Sequence, residues 1–352
     1  MPLKFAVVGC GRMGKLHARV LSEMPQVELV GVADTSPAAA EALAAQRKCR
    51  AFTDANELVD LVDAAVVAVP TVHHIAVARP FVAAGKSVLI EKPLSDDLTA
   101  ARELVELARG GRGVVQVGHA ERFNPAVMAM KKYAIRPKFI ESHRISPYTF
   151  RSTDVGVVLD VMIHDIDIVL MLAGTNEVRS VEAVGVNVIG DTEDIANARV
   201  TFANGCVANI TASRLAVKTE RKVRVFSEEA YLSVDYQAKT GLVVKKSENL
   251  DLIQMARKAG VENLADLAQQ MDYTKLVKVE QLHVDESGEP LRRQAESFVR
   301  CIQSGQRPEV SAEEGLAAVR LAQMITDAIK RHQWDGRPDG RVGLNLLASG
   351  DD

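Results

Sequence analysis

The 352-residue chain is longer than one hydrophobic core usually organises, so two domains are expected. Its 47% hydrophobic and 25% charged residues are ordinary for a globular protein, and a net charge of −3 argues against a nucleic-acid binder, which carries a basic footprint. The scattered Cys10, Cys49, Cys206 and Cys301 read as free thiols, and no apolar run suits a membrane span or a signal-peptide core, so a soluble, cytoplasmic protein is expected.

The first 120 residues alternate strand-like and helix-like patterns. Leu3 to Val8 is a compact apolar run, followed by glycines and a helical stretch from Lys15 to Met24. Val27 to Ala33 is the next strand, ending at Asp34. Ala64 to Val69, Ser87 to Ile90 and Val114 to Val117 continue the series. Strands separated by helices in short repeats predict a parallel sheet covered on both faces. Beyond residue 121 the period changes. Helices are expected near 124–133 and 157–173. Val184, Val186 and Val188 alternate with smaller or polar residues, and two strands flank the hairpin signal Asn204-Gly205. Val223, Val225, Leu232 and Val234 extend the alternation. This half is read as a mostly antiparallel sheet with one open face, a common oligomer contact. Two helices close the chain. One carries Leu291, Ala295, Phe298, Val299 and Ile302 on a single face; the other opens with a Ser311–Glu314 capping box and carries Leu321, Met324, Ile325 and Ala328.

Gly9-Cys10-Gly11-Arg12-Met13-Gly14 follows the first strand and opens the first helix, the context of a dinucleotide-binding loop. Gly9 permits the tight turn, Gly11 lets backbone approach a pyrophosphate, and Gly14 lets the helix pack close to the strand. Helix N-terminal amides then face the phosphates. Asp34, at the end of the second strand, can accept hydrogen bonds from ribose hydroxyls and repels a 2′-phosphate, so NAD is expected over NADP. Arg12 works against that repulsion. The plain alternatives are a glycine turn in a nucleotide-free fold and the related loop of a methyltransferase.

Glu91-Lys92-Pro93 follows a strand at the carboxyl edge, where open parallel sheets bind ligands. A lysine there can hydrogen-bond a substrate hydroxyl and stabilise negative charge as its proton leaves; the alternative is a loop lysine beside a turn proline. On a helix, Asp160, His164 and Asp167 fall at i, i+4 and i+7 and form one polar stripe. The other positions are almost all Val, Met, Ile and Leu, except Asp165. Such a helix is buried, and buried polar groups need partners or a purpose. An imidazole suits general-base work near neutral pH. An N-cap role for Asp160 and a structural hydrogen bond for His164 stay open. The same three side chains could start a metal site, but no further ligand is well placed and none is expected.

With these motifs, and with Pro70-Thr71 and His74, the chain resembles the glucose–fructose oxidoreductase and myo-inositol dehydrogenase family over residues 3–332. The resemblance implies an N-terminal NAD-binding Rossmann domain over 1–120 and an α+β substrate domain over 121–334 with a large, mostly antiparallel open sheet. A tail would follow at 335–352, and the assembly would be a homodimer or homotetramer. It implies hydride transfer between a sugar or polyol carbon and the nicotinamide. Lys92 and Asp160 would orient the reacting hydroxyl, and His164 would take its proton. His74 and Glu91 would lie near the nicotinamide ribose, with Gly9, Gly11, Arg12, Met13, Gly14, Asp34, Pro70 and Thr71 completing the cofactor contacts. His119, Arg122 and Asn124 resemble the sugar-nucleotide branch, the UDP-N-acetylglucosamine 3-dehydrogenases. They would meet the substrate, with Arg122 and Asn124 suited to a diphosphate; an interdomain structural contact is the alternative for that pair. Competing functions are an inositol or free-sugar dehydrogenase, an NAD-dependent glycosidase and a non-catalytic nucleotide sensor.

Overall fold

The computed structural model describes residues 1–149, 155–189, 191–247, 277–285 and 287–334. The expected tail at 335–352 lies outside them. The described residues form two compact units, Met1–Phe123 with Gly288–Met324, and Asn124–Ser287 with the chain from Ile325. Among them no helix is long and apolar enough to cross a membrane.

In the first unit, β1 (Leu3–Val8), β2 (Val27–Ala33), β3 (Arg50–Phe52), β4 (Ala64–Val67), β5 (Ser87–Glu91) and β6 (Val115–Gly118) form a parallel sheet in the order β3-β2-β1-β4-β5-β6. Helices α1 (Arg12–Ser22), α2 (Pro37–Arg47), α3 (His74–Ala83) and α4 (Leu98–Gly110) supply the main crossovers. Strands β4 and β5 are buried along their whole length, which is why they read as continuous apolar runs rather than alternating ones. Ile75, Phe81 and Leu104 pack with Val8 and Val67 in one core; Leu21 and Leu43 pack with Phe5 and Val7 in the other. The three residues of β3 are too few to show a period, and the sequence reading passes over them.

The strand order reverses between β1 and β4, so the loops after these strands part at the carboxyl edge. Helix α7 (Pro290–Ser304) differs from the sequence division, which groups it with the second half. Its apolar face joins the first unit's core through Leu291, Ala295, Phe298 and Val299, and the Phe298 ring stands edge-on to Phe5 at 6.0 Å. The capping box of α8 (Ala312–Arg331) is present: the Ser311 amide donates to Glu314 at 2.7 Å, and the Glu314 amide donates to Ser311 Oγ at 3.4 Å.

The second unit is built on eight strands: β7 (Pro137–Ile145), β8 (Val178–Val186), β9 (Ile195–Phe202), β10 (Val207–Ser213), β11 (Glu220–Ser227), β12 (Tyr231–Asp235), β13 (Thr240–Lys246) and β14 (Val277–Gln281). Their order is β14-β13-β12-β11-β7-β10-β9-β8, antiparallel except where β10 lies parallel to β7. Gly205 turns the β9–β10 hairpin at φ +87°, as the Asn204-Gly205 pair predicts. Helices α5 (Pro125–Met130) and α6 (Ile163–Ala173) cover one face, α6 against β7 and β10. There β7 turns Ser142 and Arg144 inward, and both bind Asp165 of α6, Ser142 Oγ at 2.9 Å. Arg144 and Asp165 are both buried. Asp165, the exception in an apolar helix, therefore ties helix to sheet.

Two predictions follow from this packing. A methyl group at Gly14 would run into the Gly9 carbonyl, whereas nothing lies within 4 Å of one at Gly11. Gly14→Ala is expected to lower unfolding free energy in urea by about 1–3 kcal/mol, with Gly11→Ala unchanged. Asp165→Ala removes the carboxylate that Arg144 meets in the interior and is expected to cost about 3–5 kcal/mol in the same measurement; a loss near zero would refute the pairing.

Candidate active site

Gly9 adopts φ +96°, and its amide donates to Ala33 at 2.8 Å. A side chain there would meet the Ala68 carbonyl, so the turn can pass between β1 and β4 only as glycine. Helix α1 opens at Arg12 behind Gly11 with no side-chain cap, leaving its first-turn amides suited to an anion. Arg12 is exposed, while Met13 packs against the core. The Asp34 carboxylate sits beside the loop, accepting the Cys10 amide at 2.7 Å and the Ser36 amide at 2.9 Å. Each oxygen keeps acceptor capacity for a ribose hydroxyl. Gly9, Gly11, Asp34, Asn56 and Pro70 contribute to a cleft of about 700 Å³, a size that suits a nucleotide. Burial, with the Asp34 charge, pushes the Cys10 thiol up to about 11, so it stays protonated.

Lys92 follows β5 at the same edge of the sheet. Of the run Glu91 to Ser95 it alone is half-buried; the other four are buried. The Glu91 carboxylate turns inward, where Oε1 lies 2.7 Å from His17 Nε2 of α1 and Oε2 accepts the Lys92 amide at 3.2 Å. Burial is the largest influence on Glu91 and raises its pKa. The His17 hydrogen bond and charge, with the Lys92 ammonium and amide, outweigh it and hold the carboxyl below its ordinary value. His74, 1% exposed, places Nδ1 at 2.8 Å from the Pro93 carbonyl and Nε2 at 3.0 Å from the Val69 carbonyl. Burial lowers its pKa against the pull of those carbonyls, and a neutral ring donates through one nitrogen at a time. Thr71 begins the short 3₁₀ turn Thr71–His73 just before it. His74 and Glu91, expected beside the nicotinamide ribose, make these hydrogen bonds inside the first unit.

In the second unit the polar stripe does not lie on one regular α-helix. Val158–Met162 is a π-helical turn, and α-helix begins at Ile163. The wider turn changes the angular spacing of Asp160 and His164, so the i, i+4, i+7 expectation is corrected. Asp160 and His164 are half-buried, whereas Asp167 is buried at 1% exposure. The Glu193 carboxylate receives the Val158 amide at 3.2 Å and packs where a side chain at Gly156 would stand. Burial pushes Glu193 up. Such π-turns recur at functional sites.

His119 and Arg122 are buried, at 1% and 4% exposure. Asn124 does not present its amide outward: Oδ1 caps α5 by accepting the Ala126 amide at 3.0 Å, and Nδ2 donates to the Tyr236 carbonyl at 3.2 Å. The N-cap position accounts for this, since an asparagine before Pro125 satisfies an orphan helix amide. Sequence reasoning missed His17 and Glu193. His17 was visible only as a titratable residue on the apolar side of α1, three positions past Gly14. Glu193, in the loop before β9, carries no local signal.

The profile of an oxidoreductase family with an NAD-binding Rossmann fold matches residues 3–119, and that of the GFO/IDH/MocA C-terminal domain matches 101–233. The chain is 37% identical over 235 residues to a UDP-N-acetylglucosamine 3-dehydrogenase of Acidithiobacillus ferrooxidans, spanning 66% of this chain and 74% of that protein. It is 27% identical over 338 residues to an inositol 2-dehydrogenase of Rhizobium meliloti, spanning 92% and 95%. The solved structure of the Acidithiobacillus enzyme superposes with a TM-score of 0.81 at 29% identity, covering 94% of this chain and 98% of the other. A levoglucosan dehydrogenase in complex with NADH shares the fold at 18% identity, with a TM-score of 0.78 over 94% and 97% of the two chains. The glycine loop, Asp34 and the cleft fit the dinucleotide these matches imply, and the chain belongs to the GFO/IDH/MocA family of NAD-binding oxidoreductases, as a dehydrogenase acting on CH–OH groups.

Proposed function

We propose that this dehydrogenase oxidises the C3 hydroxyl of a UDP-N-acetylhexosamine to a 3-keto sugar nucleotide. The observation that carries the reading is the 37% identity to a UDP-N-acetylglucosamine 3-dehydrogenase. Bound NAD supplies a nicotinamide carbon that accepts the hydride from C3. In this proposal the Lys92 ammonium donates to O3 and stabilises the charge that grows there. The His164 imidazole takes the O3 proton as the C3–H bond breaks and the C3=O bond forms. Asp160 orients the hydroxyl and holds the imidazole in the tautomer that can accept a proton. His119 and Arg122 are the proposed sugar-nucleotide contacts. Asn124 enters by starting α5, which its side chain caps.

The second reading is an inositol 2-dehydrogenase, favoured by similarity spanning 92% of the chain. NADH formation with UDP-N-acetylglucosamine, other UDP-sugars, free sugars and myo-inositol separates the two. The expected outcome is turnover of UDP-N-acetylglucosamine to a keto product whose glycosidic bond stays intact. Higher kcat/KM for myo-inositol would transfer the assignment, and bond cleavage would indicate the family's glycosidase chemistry. Lys92→Ala and His164→Ala are each expected to lower turnover by about a hundredfold or more while NAD still binds.

We further propose that the open face of the eight-stranded sheet joins copies of this chain. Val207, Phe139, Phe226, Tyr231, Val244 and Val279 are successive register partners and form an apolar row across six strands. Phe226 lies 5.7 Å from Phe139 and 4.8 Å from Tyr231 between ring centroids, yet is 39% exposed. Phe226→Glu is expected to convert a dimer or tetramer to monomer in analytical ultracentrifugation; a monomeric parent protein would rule this out.

A further inference from the structure

We propose that His17 and His74 are positioning residues that fix the backbone on either side of Lys92, acting through Glu91 and Pro93. The proposal rests on the reading of Lys92 as the group that meets the substrate hydroxyl. A lysine carries its ammonium on a flexible four-carbon stem, and ordering that stem costs entropy. The site can restrict its end only if the root is immobile, because a displacement of about 1 Å at a reacting group costs about a hundredfold in rate.

The root is held from two helices. On the amino side, the Glu91 carboxylate bridges His17 at 2.7 Å and the Lys92 amide at 3.2 Å, linking α1 to the backbone of the lysine itself. On the carboxyl side, Pro93 has no N–H, so its carbonyl is its one backbone hydrogen-bonding group. That carbonyl lies 2.8 Å from His74 Nδ1 of α3. The second His74 nitrogen lies 3.0 Å from the Val69 carbonyl after β4, so the neutral ring donates to one carbonyl or the other, and the tautomer protonated at Nδ1 is the one that holds Pro93. Gly118 of β6 leaves space for this arrangement: a side chain there would press on the Glu91 carboxylate carbon at 3.1 Å. Both histidines are 1% exposed, on helices whose buried neighbours are Ala18 and Leu21 or Ile75 and Ala78. An apolar residue would pack there without burying an imidazole, so packing does not account for either one.

Substitutions that keep or remove a single contact test the proposal. A glutamine amide nitrogen can replace His Nε2, and an asparagine amide nitrogen can replace Nδ1. His17→Gln therefore keeps the Glu91 contact, and His17→Leu removes it. His74→Asn keeps the Pro93 contact, and His74→Gln keeps only the one to Val69. The readouts are NAD reduction with UDP-N-acetylglucosamine, NAD affinity, and the pH profile of Lys92 acetylation by acetic anhydride, followed by peptide mass spectrometry. His17→Leu and His74→Gln are expected to lower kcat about tenfold to a hundredfold and to shift the acetylation profile, with NAD affinity within about threefold of the parent. His17→Gln and His74→Asn are expected to restore both. Parent-like kcat and acetylation in His17→Leu and His74→Gln would overturn the proposal, as would equal losses in all four variants. If His17→Leu does not fold, the His74 pair decides alone. An active Lys92→Ala would refute the substrate reading, and the acetylation profile would still test whether the histidines hold the lysine.

Discussion

The approach of α1 to β1 leaves no room for a side chain between the Gly14 α-carbon and the Gly9 carbonyl, and much of the first unit depends on that contact. It aims uncapped helix amides at the end of the sheet. It also brings His17, one turn farther along α1, to the carboxylate of Glu91 on β5. One backbone contact thus sets the anion-binding end of the helix and the anchor of the proposed catalytic turn. The strand-order reversal beside it opens the cleft in which a dinucleotide fits.

The second unit solves a different problem. Among the described residues helices cover its sheet on one face, and α6 on that face is apolar almost throughout, so packing alone would leave its rotation and register weakly specified. Charged contacts in the interior specify the helix's register on the sheet and, separately, the loop before β9. Asp165 meets Arg144 and Ser142 of β7, and Asp194 meets Arg214 at 2.7 Å while receiving the amides of Val188 and Ile189. Buried pairs of this kind add little net stability but penalise every arrangement that separates them. The helix segment carrying Asp160 and His164 starts in a π-turn whose entry is held by Glu193, so its irregular geometry has a defined support.

Much of the fold was legible in the sequence. Buried parallel strands appear as short apolar runs, half-buried ones as alternation, and the Asn204-Gly205 hairpin and the Ser311 capping box are local chemistry. The omissions share a cause. β3 has three residues, and a period cannot be read from three. β7 alternates well but has Ser142 and Arg144 on its inner face, where an apolar residue is the usual signal. Helix α7 shows its apolar face plainly, yet amphipathicity does not say which sheet that face meets. The site followed the same rule: the motif residues were visible, while the π-turn was not, because helical spacing assumes 3.6 residues per turn.

By itself the sequence determined the parallel and antiparallel halves, the dinucleotide loop with Asp34, and the lysine, carboxylate and imidazole at issue. These are properties of contiguous residues, and contiguous residues obey local geometry. Tertiary structure alone decided that Glu91 turns inward to a histidine 74 positions away, that His74 stands between the carbonyls of two loops, and that Asn124 caps a helix. Such contacts depend on how strands order themselves in a sheet. No periodicity encodes that order, because it is selected by the burial of whole faces.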